Sequence, residues 1–198
     1  MRLREELIKE RKGKVILNIR ILNRRYHITR KHLLMPLLFV VLFLINRKYF
    51  VFGALTVFSA VFSYYHDKIN RTPIDFNMPL FLGIMITRQF GFLYTFIFYI
   101  LSDLLPGLLA GRDMEAQSFI FLGWQLIVCS LVLLFPSVDI ILLGVILVIV
   151  ETIGSVFINM TRGFPGIVAF ASSLLSMLAR IGYFLSLGTV LKFIFRLI

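Results

Sequence analysis

The chain reads as an all-α integral membrane protein, with six or seven transmembrane or partly re-entrant helices in one bundle. Hydrophobic residues fill 59% of its 198 positions, 21 of them Phe. The mean hydropathy is +0.92. A soluble domain of this size would expose large apolar patches with that composition. Apolar stretches also recur between short polar turns, and several approach the roughly 20 residues that a span needs. A strongly basic segment precedes the first of them.

That segment is residues 1–32, expected to be a basic cytoplasmic N-terminal segment ahead of a single multi-pass domain over 33–198. It holds 11 of the 21 Lys and Arg against Glu5, Glu6 and Glu10, a balance of +8 out of +11 for the chain. No aromatic platform or nucleic-acid motif accompanies the charge, so a nucleic-acid partner is not expected. The positive-inside rule places the N-terminus in the cytoplasm of a cell-membrane protein. The same charge suits contact with the anionic inner leaflet, at about 1 kcal/mol per basic residue near the surface. The basic region is too long for a signal peptide, and no small-residue cleavage site follows it.

The apolar stretches are Leu33–Ile45, Tyr49–Tyr65, Phe76–Ile86, Phe90–Ala110, Ser118–Phe135, Val138–Ile158 and Gly166–Leu187. The last four are long enough to span. The first and third are short, as tilted spans or re-entrant half-helices would be. Asn46-Arg47-Lys48, the run from His66 to Pro73, Gly111 to Glu115, Pro136-Ser137 and Asn159 to Pro165 break the pattern as turns. Basic residues divide almost evenly between alternate loops. Orientation therefore rests on the N-terminal cluster, and the side of the C-terminus stays open.

Helical spacing sorts the polar residues onto faces. Thr95, Tyr99, Ser102 and Pro106 share one, with Asp103 beside them. Ser118, Gln125 and Cys129 share another. Gly144, Val148, Glu151, Ser155 and Asn159 form a third, and Ala169, Ser173, Ser176 and Arg180 a fourth. Small and polar faces serve helix packing through close approach and interhelical hydrogen bonds. They also line solute cavities. Ionisable groups at membrane depth are costly and need a partner, a wet cavity or a function. Glu151, Arg180, Tyr99, Asp103 and Gln125 are therefore the candidate substrate-binding residues. Counted from a turn over Asn159–Pro165, Glu151 and Arg180 differ in depth by seven residues. That is about 10 Å at 1.5 Å per residue, of which an arginine side chain covers part; a salt bridge stays open though the register does not dictate it, and the mismatch is the reason to look for a cavity.

Several chemistries lack their signature. There is no Walker A motif, Rossmann fingerprint, GxSxG elbow or HExxH. His27, His32 and His66 lie in polar flanks without metal-site spacing. Cys129 has no intrachain partner and is expected as a small buried residue. An enzyme is not expected, nor a metal or cofactor.

The stretch PLFLGIMITRQFGFLYTFIFYILSDLLPGLLAG over Pro79–Gly111 pairs a short apolar helix with a Gly-opened helix that closes on Asp-Leu-Leu-Pro-Gly-Leu. It resembles the substrate-binding (S) components of energy-coupling-factor transporters, and also the rod-shape-determining membrane proteins of the MreD type. The first resemblance implies a small-solute-binding subunit of a multi-component uptake transporter, with ATP hydrolysis supplied by partner subunits. Glu151 and Arg180 would then be solute contacts. Leu33–Ile45 departs from that pattern, being bulky where the S components carry small residues four apart. The second resemblance implies a non-transporting scaffold or assembly protein with structural intramembrane charges. A lipid-modifying membrane enzyme is a third reading, for which only Asp103, Asp113 and Glu115 speak.

Overall fold

The structure is a computed structural model that describes residues 17–21, 24–28, 46–69, 78–112, 116–161, 163 and 165–197. The expected stretch Leu33–Ile45 lies outside the described residues, as does most of the basic segment. The chain divides into two compact units, Met1–Val51 and Phe52–Ile198. Helix dominates. The one departure among the described residues is an antiparallel hairpin in the first unit, β1 (Leu17–Ile21) and β2 (Arg24–Ile28). Its register sets Leu17 opposite Ile28 and Ile19 opposite Tyr26, and between them Asn18 opposite His27 and Arg20 opposite Arg25.

Six helices follow among the described residues. They are α1 (Arg47–Ile69), α2 (Pro79–Phe90), α3 (Phe92–Leu109), α4 (Ala116–Leu131), α5 (Ile140–Thr161) and α6 (Gly166–Arg196). Of these, α3, α5 and α6 are long and apolar enough to cross a membrane. Large apolar side chains stand outward on all three, including Leu93, Phe157 and Leu185. Such surface suits lipid and not water, and the chain is membrane-embedded.

The short α2 is the centre of the bundle. Ten of its twelve residues are buried, as befits a helix that is apolar all round. It packs against α3, α4, α5 and α6. Its length of about 18 Å at 1.5 Å per residue is well short of a bilayer core. Pro79 opens it in the first turn, where a missing N–H costs nothing. Gly91 closes it at φ 93°, a conformation glycine adopts freely. The next residue already starts α3, so the two helices fold back on each other. Thr87 and Thr95, four residues either side of Gly91, bring their hydroxyls within 2.7 Å. Eight residues either side, a Cβ on Gly83 would lie 2.9 Å from the Tyr99 ring. Farther along, α3 passes through a π-helical turn at Ile100–Leu104.

Several boundaries differ from the sequence expectation by a few residues, and in two of them polar contacts account for the extension. The third element runs to Phe90 instead of ending at Ile86, because Arg88 and Gln89 find partners on other segments of the bundle. Arg88 donates to the carbonyls of Val132 (3.4 Å), Phe135 (2.9 Å), Pro136 and Val138 (3.0 Å), capping the end of α4 and its turn. Gln89 donates to Phe195 O at 3.3 Å. The last helix runs to Arg196 rather than Leu187. There Lys192 pairs with Asp139, whose Oδ1 also accepts from the amide of Ile141 at 2.9 Å to cap α5.

The partners α5 and α6 interlock through small residues. Along α6 the buried positions are Ala169, Ser173, Ser176, Arg180, Phe184, Gly188, Leu191 and Phe195. The steps of three and four residues are those of a packed seam. Facing it, α5 buries Gly144, Val148, Glu151 and Ser155. Phe184 fills the notch that Gly144 leaves. A Cβ there would come within 2.0 Å of the ring.

Gly144→Ala is therefore expected to destabilise the folded protein by about 1–3 kcal/mol. Phe184→Leu in the same chain should recover part of that loss. The midpoint of thermal unfolding in detergent reads both. A pH effect follows at the α5 cap. Lys192 first, then the Ile141 amide, hold the Asp139 carboxyl below its usual value. A lowered carboxylate pKa stabilises the fold above the ordinary value, about pH 4. The contribution is lost as pH falls through the lowered one. Asp139→Asn should remove this acid-side loss of stability in a melting series from neutral pH downward.

Candidate functional site

Glu151 is the midpoint of α5, eleven residues from Ile140 and ten from Thr161. Its side chain is 1% exposed, and that of Arg180 is 6% exposed. The two meet directly: Arg180 Nη1 donates to Glu151 Oε2. The other carboxylate oxygen, Oε1, accepts from Ser155 Oγ at 2.7 Å, one turn along the same helix. The main chain of Glu151 is held as well, its carbonyl accepting from the Trp124 indole at 3.0 Å. Trp124 reaches it because Gly154 has no side chain. A Cβ there would sit 2.2 Å from the indole.

The depth mismatch expected from the sequence is thus corrected. The turn is shorter than Asn159–Pro165, since α5 continues to Thr161 and α6 begins at Gly166. Glu151 lies ten residues before that turn and Arg180 fourteen after it. The remaining four residues amount to about 6 Å, within reach of an arginine side chain. Of the two alternatives that the sequence leaves open, a salt bridge or a cavity between these groups, the structure has the ion pair.

A second buried polar set lies between α2, α3 and α4. Tyr99 and Cys129 are fully buried, with Tyr99 OH 3.7 Å from Cys129 Sγ. Gly83 makes room for both, as a Cβ there would lie 3.2 Å from the sulfur. Thr87 donates to Gly83 O at 2.7 Å while its hydroxyl meets Thr95. Asp103 belongs elsewhere. It sits in the π-helical turn and accepts from Arg112 Nη1 at 3.3 Å. Arg112 also stands 3.4 Å from Asp67, whose other oxygen is 3.5 Å from His66 Nδ1. Gln125 is half-buried on α4; the residue that α4 brings to Glu151 is its neighbour Trp124.

The structure therefore joins Glu151 to Arg180, buries Tyr99 in a separate set, and gives Asp103 a different cation. Spacing had placed Ser155 and Cys129 on inward faces. Trp124, Thr87 and Thr95 as pairing groups escaped it. The one signal for Trp124 was a single Trp on a helix whose partner carries a glycine, Gly154, at closest approach.

Chemically, the Glu151 carboxylate is held at both oxygens. A carboxylate held by a guanidinium and a hydroxyl offers a solute little unless the pair opens. Among the described residues, no group of three or more His, Cys, Asp or Glu side chains could hold a metal ion.

Comparison with protein-family models, with curated proteins and with solved structures finds no match.

The pair predicts a sign reversal between variants. Glu151→Leu or Arg180→Leu alone leaves an uncompensated buried charge and should cost about 3–5 kcal/mol. Replacing both by leucine should restore most of the stability, because well-packed apolar residues commonly match a buried ion pair. Thermal unfolding of the four proteins completes the double-mutant cycle.

Proposed function

We propose that this chain is a multi-pass scaffold or assembly subunit of the cell membrane that moves no solute itself. Its N-terminus lies in the cytoplasm, and its basic first 32 residues lie against the anionic leaflet. The observation that carries the reading is the closure of Arg180 on Glu151. The two groups best suited to hold a polar solute hold each other, and Ser155 takes the remaining carboxylate oxygen. Gly144, Val148, Glu151 and Ser155 on α5 and Ala169, Ser173, Ser176 and Arg180 on α6 are all buried in the bundle, as packing requires. Partner subunits would be other membrane proteins.

The competing reading is the solute-binding subunit of an uptake transporter, and the two separate experimentally. A chain with both Glu151→Leu and Arg180→Leu should restore the phenotype of a strain whose own copy is deleted. Native mass spectrometry of the wild-type protein should show no polar solute that this double variant loses. A stoichiometric solute retained by wild type, lost in the double variant, together with failed complementation, would overturn the scaffold reading in favour of solute binding.

A further inference from the structure

At the opposite end of α6 from Gly166 lies a cavity of about 270 Å³ that the pair of Glu151 and Arg180 does not enter. Three cations, Arg88, Lys192 and Arg196, line it against one carboxylate, Asp139, over a floor that includes Met85 and Phe195. The lining thus carries an excess of two positive charges. The cations differ in their commitments. Arg88 is fixed by four carbonyls, which hold its guanidinium in place and offset part of its field. Lys192 is shared with Asp139. Arg196, exposed in the last turn of α6, makes no hydrogen bond or ion pair with another described residue.

Depth places this cavity. Glu151 is the midpoint of a span-length helix, so with α5 crossing a bilayer the pair lies near the midplane. Asp139 is twelve residues before Glu151, and Lys192 twelve after Arg180. Both lie about 18 Å away along their helices, at 1.5 Å per residue. A hydrocarbon core about 30 Å thick ends about 15 Å from its centre. Two independent helices therefore bring Asp139, Lys192 and Arg196 into the headgroup layer, where phosphates lie. Basic pockets between helices at that level suit phosphorylated headgroups, and a guanidinium matches a phosphate through paired donors. The apolar floor fits the glycerol and first methylenes of a lipid.

We propose that this cavity is a phosphate-ester site at the membrane surface. Arg196 and Lys192 grip the phosphate, and Arg88 holds a fixed positive charge behind them. The site is separate from the Glu151–Arg180 pair, and its success or failure leaves the scaffold reading untouched.

The test uses the full chain in neutral detergent with two kinds of probe. Phosphatidylglycerol is compared with phosphatidylcholine by native mass spectrometry. Glycerol 3-phosphate and inorganic phosphate are compared by thermal shift. Wild type should retain phosphatidylglycerol over phosphatidylcholine. Arg196→Ala should weaken that binding on the order of tenfold or more, with an unchanged unfolding midpoint in the absence of ligand. Asp139→Asn should strengthen it by removing the one negative charge, while the amide oxygen keeps the α5 cap. A merely structural role would not produce that opposite response. Retention of glycerol 3-phosphate with no lipid preference would identify a soluble phosphate ester as the source and still uphold the site. Binding of none of the probes, or binding that Arg196→Ala leaves intact, would overturn it.

Discussion

A carboxylate and a guanidinium buried between α5 and α6 constrain everything around them. At membrane depth neither charge can be left alone. The seam must therefore bring Glu151 and Arg180 together before it does anything else. The neighbouring residues follow from that demand. Ser155 stands one turn from Glu151 to supply a hydroxyl. Gly154 admits the Trp124 ring that holds the Glu151 carbonyl. Gly144 admits Phe184, which closes the seam beyond the pair. Because the pair is satisfied only in one register, it opposes sliding of one helix along the other, which apolar packing alone would resist weakly.

The second constraint is steric. Placing the twelve-residue α2 inside the bundle requires its backbone to come close to several neighbours at once. Gly83 yields to Tyr99 and Cys129, and Gly91 reverses the chain within a single residue. The polar groups in this hairpin are the ones that close approach allows to meet, Thr87 with Thr95 and Tyr99 with Cys129. The stretch Pro79–Gly111 thus folds back on itself through a single glycine.

The charges at the helix ends play a different part. Arg88 caps the turn after α4, Lys192 joins Asp139 at the start of α5, and Arg112 bridges Asp67 and Asp103 at the other end. These groups lie where water and headgroups compete, so each contributes modestly to stability. Their geometry sets which ends of which helices stay level. The same placement leaves an excess of positive charge over the cavity beside Arg196.

Much of this was legible from spacing. The faces Thr95, Tyr99, Ser102, Pro106 and Ala169, Ser173, Ser176, Arg180 are all buried, because helical periodicity is local and survives any packing arrangement. The membrane-embedded class followed from composition for the same reason. The meeting of Glu151 with Arg180 was not legible. It depends on where two helices stop, at Thr161 and Gly166, and an error of a few residues there moves a side chain by several ångströms. Nor could spacing say that α2 would continue through Arg88, since the carbonyls that accept its charge lie some 44 to 50 residues away. Which residues turn inward is a property of each helix alone. Which charge finds which partner depends on helix ends, depth and side-chain reach, and these exist only once the helices are packed together.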